Sequence, residues 1–296
     1  MQSGLRKILT TVTLVAGVSV PVLLAVEASR EPACDRGCLL EATNDYLEAL
    51  LAHKPSALQV AEDLKATENG KAVRLGDGIW KTAKGIPYRQ TFADPSTGQA
   101  GFFGVVTEDG GGRALLVLRV KVGRQRIREV ETLVARKGAH NLFSPEALTA
   151  PNPLFESTVP EADRVPRERL VALANSYFEG IETHNGALIP FHPDCNRWEN
   201  GVQVTNSGTR LMSCPESIPA ASYITKVRGR RFPIADEARG LVLGIAAFDI
   251  PAAAPAPGNG PRSVLLYELF KVDSGRIRGI EAFLMNAPLG ASNGWE

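Results

Sequence analysis

KVGRQRIREVE at Lys121–Glu131 and KVDSGRIRGIE at Lys271–Glu281 are one pattern written twice in a single chain. Each passes from Lys-Val through a short polar link into an alternating Arg-Ile-Arg run that ends on a glutamate, the signature of a strand, a tight turn and a second strand. Working outward, Tyr46–Leu50 (YLEAL) is echoed by Tyr177–Ile181 (YFEGI), and Glu68-Asn69-Gly70 by Glu199-Asn200-Gly201 at the same spacing. Further on, Asp94 matches Asp236, and Gly104-Val105-Val106 matches Gly244-Ile245-Ala246. The spacing grows along the chain, so the second copy carries insertions. One of them is Pro251–Gly260, built from Ala, Pro, Gly and Asn, which reads as an exposed hairpin loop. Self-similarity of this kind means repeated structural units.

Each copy has the same order of signals. An amphipathic helix comes first, Leu39–Ala52 or Glu168–Thr183, with apolar residues at helical spacing. A polar middle follows, in which Asn-Gly marks a tight turn. Strands come last: Gly101–Glu108, Ala114–Val122 and Ile127–Ala135, then Gly240–Phe248, Ser263–Val272 and Ile277–Met285. Helices followed by runs of strands define an α+β fold, here two tandem domains, each a curved antiparallel sheet wrapped around N-terminal helices. The expected boundaries are 34–143 for the first copy, 144–166 for a Pro-rich linker and 167–288 for the second copy.

Residues 1–28 read as a signal peptide. Arg6 and Lys7 precede an uncharged apolar run from Ile8 to Ala25, and small residues at Ala25, Ala28 and Ser29 offer a cleavage site. An uncleaved anchor is the alternative, although the run is short for a membrane span. Cleavage places the protein in the periplasm or outside the cell, with no stable membrane association. Cys34, Cys38, Cys195 and Cys214 are then an even set in an oxidising compartment. Spacing favours Cys34 with Cys38 and Cys195 with Cys214. A metal site using His192 and Cys195 competes, against the tighter paired spacing that zinc usually requires. A net charge of +1 with acids and bases intermixed leaves no basic stripe for nucleic acid.

The paired closing patterns, after a helix and a charged middle, resemble the cone-shaped fold of nuclear transport factor 2, shared by SnoaL-like cyclases and ketosteroid isomerase. More narrowly, three segments resemble an uncharacterised domain family common in fungi and found in some bacteria: Cys34–Leu39 (CDRGCL), Thr67–Gly70 (TENG) and Arg230-Arg231-x-Pro233-x-x-Asp236-Glu237-x-x-Gly240. The resemblance implies a ligand cavity at the wide end of each cone, and a tandem copy implies an intramolecular pseudo-dimer. It implies no reaction.

Polar residues special to one copy are the functional candidates. The second copy alone gathers His184, His192, Asp194 and Arg197, followed by Arg228, Arg230 and Arg231 and then Asp236 and Glu237. His192 or Asp236 is the expected base, and Arg230 or Arg231 the expected anion stabiliser. Tyr177, Arg197, Trp198, Glu199, Asn200 and Arg228 are the expected substrate-binding set. Against this stands a bland alternative of loop caps and ordinary ion pairs. Residues shared by both copies, such as Glu68 with Glu199 and Asn69 with Asn200, fit a role in holding the fold. Tyr46 and Tyr177, on the first helix of each copy, face a cavity or pack in the core, and Trp80, Trp198 and Tyr88 line an aromatic cavity or fill the core.

No Gly-x-Ser-x-Gly elbow and no nucleotide fingerprint occurs. The expectation is therefore a cofactor-free isomerase, lyase or hydratase acting on a small apolar carbonyl or cyclic compound. A non-catalytic carrier of a hydrophobic ligand or protein partner is the alternative.

Overall fold

A computed structural model describes residues 34–208, 211–251 and 260–295. The segment read as a signal peptide and most of the Pro251–Gly260 loop lie outside the described residues.

The first copy opens with α1 (Arg36–Leu51), whose N-terminus is capped by Asp35 accepting from the Cys38 amide at 2.9 Å. Its buried face carries Leu39, Thr43, Tyr46, Leu47 and Leu50, the spacing of one helical stripe. The strands are β1 (Val60–Glu68), β2 (Lys71–Ala72), β3 (Ala83–Asp94), β4 (Gln99–Glu108), β5 (Arg113–Gly123) and β6 (Arg126–Arg136). They form a sheet in the order β2-β1-β6-β5-β4-β3. A connecting stretch holds α2 (Pro153–Glu156). The second copy repeats the plan with α3 (Arg167–Thr183), β7 (Phe191–Glu199), β8 (Val202–Gln203), α4 (Cys214–Ser217), β9 (Lys226–Asp236), β10 (Leu241–Ile250), β11 (Arg262–Asp273) and β12 (Arg276–Ala287). Its sheet order is β8-β7-β12-β11-β10-β9.

Two features differ from the sequence expectation. The sheets are mixed rather than purely antiparallel, because β1 runs parallel to β6 and β7 parallel to β12. Periodicity also passed over β1, β2 and β3 in the first copy and β7, β8 and β9 in the second, of which β3 and β9 have a plain cause. Both are edge strands and hold Pro87 and Pro233 among charged residues, a composition that reads as loop but is tolerated at an unpaired edge. The Asn-Gly pairs form the expected turns: Asn69 and Gly70, like Asn200 and Gly201, all have positive φ and close the β1–β2 and β7–β8 hairpins.

Strand register also refines how the copies align. Phe102 pairs with Leu118, which pairs with Thr132; Gly244 pairs with Glu268, which pairs with Ala282. Phe102 is thus the counterpart of Gly244 and Leu118 of Glu268. The echo between Gly104-Val105-Val106 and Gly244-Ile245-Ala246 is two residues out of step, a slip that repeated small and β-branched residues invite.

The copies join through the outer faces of their sheets. Tyr88, Phe92, Phe103, Val117 and Leu133 pack against Ile234, Leu243, Tyr267, Leu269 and Phe283, and the linker's Phe155 is buried in the same seam. Reciprocal contacts give the seam a pseudo-twofold relation. Asp94 accepts from the Ala235 amide and pairs with Arg167, while Asp236 accepts from the Ala93 amide and pairs with Arg36. The intramolecular pseudo-dimer is therefore a structural fact, and the stretch expected as a linker is packed rather than free.

The two glutamates that end the closing patterns both sit in this seam but in unlike company. Glu131 binds Arg119 through Nε at 2.6 Å, the Tyr267 hydroxyl at 2.8 Å, and Arg231. In the second copy Leu269 replaces Arg119, and among the described residues Glu281 meets the Tyr88 hydroxyl at 3.2 Å.

Candidate cavity in the second cone

Both cones place a helix tyrosine over the concave sheet face, but only one interior is plugged by an aromatic ring. In the first, a short 3-10 turn at Gly78–Lys81 carries Trp80 inward, where its indole N–H donates to the Tyr46 hydroxyl at 2.9 Å and its ring meets Tyr46 edge to face. Trp80 is 3% exposed. In the second, the corresponding segment carries Ser217, Ala220 and Ala221, side chains too small to reach the tyrosine. A cavity of about 480 Å³ remains.

Its walls are apolar: Ile181, Ile224, Phe248, Ile250, Val264, Leu266 and Leu284. A group of polar side chains converges within them. Arg197 on β7 donates to the Tyr177 hydroxyl at 3.0 Å and pairs with Glu199 at 3.2 Å. Glu268 on β11 is buried, and its Oε2 has no hydrogen-bond partner. It points into the cone because strand residues alternate: Leu266, Glu268 and Phe270 face inward, while Tyr267 and Leu269 face the other copy. Burial pushes the Glu268 carboxyl up to about 8, against the opposing pull of the Arg197 charge. That burial favours its protonated form, in which the carboxyl can donate a hydrogen bond. Burial likewise raises Tyr177, whose hydroxyl stays neutral.

At the rim, His140 accepts from the Leu142 amide through Nδ1 at 3.1 Å. Desolvation lowers its titration, with Glu199 opposing, and with Nδ1 accepting, the neutral ring carries its proton on Nε2. Tyr223 and Arg262 complete the polar lining.

Of the residues that sequence singled out, Tyr177, Arg197 and Glu199 line this cavity. The four expected catalytic side chains do not meet there. His192 lies near the start of β7, where its Nδ1 accepts from the Asp194 amide. Asp236 is spent at the seam between copies, as its counterpart Asp94 is. Arg230 pairs with Glu182 on α3, and Arg231 crosses to Glu131 of the first copy. Arg228 pairs with Asp249 on the adjacent strand. These three arginines diverge because register shifts in β9 turn successive side chains to different faces.

Asn200 is fully buried, its amide bridging to the backbone of Leu142 and Leu284. Trp198 lines a separate crevice at the linker. His184 caps α3 in a left-handed conformation.

Sequence reasoning missed Glu268, His140, Tyr223 and Arg262. Glu268 had a signal: it stands as the lone acid within Ser263–Phe270, opposite Leu118 of the first copy.

The disulfides are Cys34–Cys38 and Cys195–Cys214, with Cα separations of 5.3 and 5.9 Å. The second ties β7 to α4 and so fixes the wall opposite α3. Because Cys195 is bridged, its sulfur is not a metal ligand.

A family model described as a domain of unknown function (DUF8021) matches residues 163–284, the second cone. No curated protein matches the chain. Among solved structures, a protein of unknown function with a cystatin-like fold from Methylobium petroleophilum is 15% identical, covering 38% of this chain and 84% of its own, with a TM-score of 0.31. An NTF2-like protein from Cytophaga hutchinsonii is 13% identical over 42% of this chain and 99% of its own, with a TM-score of 0.29. PrhC from Penicillium brasilianum is 18% identical over 40% of this chain and 81% of its own, with a TM-score of 0.30. Each is covered over most of its own length by less than half of this chain, which is itself two α+β units of one plan in tandem, packed through the outer faces of their sheets.

Proposed function

We propose that the second cone binds a small, largely apolar molecule carrying a carbonyl group and acts on it by acid–base chemistry without a cofactor, as an isomerase, lyase or hydratase does. One observation carries this reading: a buried carboxyl whose burial favours the protonated form and a buried guanidinium line one apolar cavity, and the sister copy has Leu118 and Ala66 at those places. A protonated acid and a cation beside one oxygen are the groups that hold a developing enolate.

Glu268 would donate to the substrate oxygen while Arg197 offsets its negative charge. Glu199, at the cavity edge beside neutral His140, would take the proton from the adjacent carbon. Tyr177 holds the guanidinium in place. Two disulfides fit an oxidising compartment, and we place the protein in the periplasm or outside the cell on that ground together with the basic, then apolar, N-terminal sequence.

The test is calorimetric titration with small cyclic ketones and enones, alongside absorbance assays for double-bond migration. Binding that weakens at least about tenfold in Glu268→Gln and in Arg197→Met supports the site. Equal binding by both variants, or none by the unaltered protein, removes it. Binding without turnover favours the second reading, a carrier, for which the apolar walls speak.

A further inference from the structure

A second crevice lies where three parts of the chain meet. Tyr88 comes from β3 of the first copy, Leu148, Ala150, Asn152 and Phe155 from the linker, and Trp198, Gln203 and Glu281 from the second copy. Its volume is about 240 Å³, room for a single ring and a short substituent. At its floor sits Glu281, 4% exposed, whose Oε1 meets the Tyr88 hydroxyl while Oε2 is buried with no hydrogen-bond partner. Beside it the Gln90 side-chain nitrogen is also without a partner, its oxygen being taken by Tyr88. Such groups are costly to leave unmade, and a ligand that satisfied the carboxyl would recover that cost.

The lining narrows the chemistry. Among the described residues no lysine or arginine lines the crevice, so its lining favours a cation beside Glu281 over an anion. Phe155 and Trp198 stand edge to face with ring centroids 6.2 Å apart, and Tyr88 adds a third ring. Aromatic faces beside one carboxylate attract an organic cation. Asn152 spends its Oδ1 on the Leu154 amide, keeping the linker wall in position.

We propose that this crevice is a second ligand site, distinct from the second cone's cavity, for a small aromatic or cyclic amine whose ammonium pairs with Glu281 and whose ring packs against Trp198 and Phe155. Burial holds the Glu281 carboxyl at about 7, so its charging near neutral pH is easily drawn out by an arriving cation. The site exists only when both copies and the linker are assembled.

The experiment is titration calorimetry of the full chain at pH 8 with benzylamine, and with benzyl alcohol and benzoate as neutral and anionic controls. Benzylamine should bind at least about tenfold more tightly than either control. Glu281→Gln should lose that preference. Ala150→Trp, at an exposed position on the rim, should block binding without disturbing the floor. Glu268→Gln, in the other cavity, should leave it unchanged. The proposal is overturned if benzylamine binds no better than benzyl alcohol, if Glu281→Gln and Ala150→Trp bind it normally, or if Glu268→Gln is the variant that loses it.

Discussion

The two cones share a frame and differ in what fills it. In the first, Trp80, Leu118 and Ala66 make a dry interior; in the second, Ala221, Glu268 and Arg197 leave a cavity with ionisable groups at its floor. The seam shows the reverse polarity. There the first copy's Glu131 lies among two arginines, and the second copy's Glu281 has none. Duplication has thus let one copy take the structural charge and the other keep the open site. What differs between equivalent positions is more informative than what is shared.

Several substitutions would break that comparison. The largest effect is expected at Glu131→Leu, which leaves Arg119 and Arg231 facing each other at the seam and should cost ~3–5 kcal/mol in urea unfolding. The equivalent Glu281→Leu removes no ion pair and should change stability by about 1 kcal/mol or less. Equal losses at both positions would show that the glutamates do not differ as described. Trp80→Ala should cost about 3–5 kcal/mol, because it empties the first cone and strands the Tyr46 hydroxyl. The same variant should admit small apolar probes to the first cone.

Opening the Cys195–Cys214 loop by Cys195→Ala with Cys214→Ala should cost about 3 kcal/mol, and Cys34→Ala with Cys38→Ala clearly less, since the Cys195–Cys214 bridge closes the longer loop. Thermal melts of the two double variants compare them directly.

The smallest effect sharpens the comparison through pH. Burial holds Glu268 and Glu281 at about 8 and about 7, both above the 4.5 of an exposed glutamate. The native state therefore keeps protons that the unfolded chain has released. The contribution is fully present below about 4.5 and is lost as pH rises through 7 and then 8. Melting temperature should fall between pH 5 and pH 9, and Glu268→Gln with Glu281→Gln should flatten that fall. A slope unchanged in the double variant would rule out these two groups as its source.

The fold was legible because its cues are local and occur twice. The Asn-Gly turns, the helix stripes around Tyr46 and Tyr177, and the Lys121–Glu131 and Lys271–Glu281 hairpins each needed only neighbours in sequence. Strands β1 and β7, with the short β2 and β8, were hidden in a polar, turn-rich middle, and β3 and β9 were not legible because edge positions tolerate the proline and charge that otherwise mark a loop. The site was legible in part. Arg197 stood out as a charge special to the second copy, Glu199 was matched by Glu68 and read equally as part of the frame, and Arg228, Arg230 and Arg231 clustered in sequence only for bulges to scatter them. Glu268 was hidden in an apolar strand, and only its inward parity gives it meaning.

The back-to-back seam has a consequence for synthesis. The first copy emerges first, and its sheet then presents Phe92, Phe103, Val117 and Leu133 to solvent with no partner yet made. That face is a hazard for association between nascent chains until the second sheet arrives. The packed linker limits the wait, because it holds the second copy at high effective concentration over the face it must cover. Order of translation, and not stability alone, thus favours a short, packed connection between the cones.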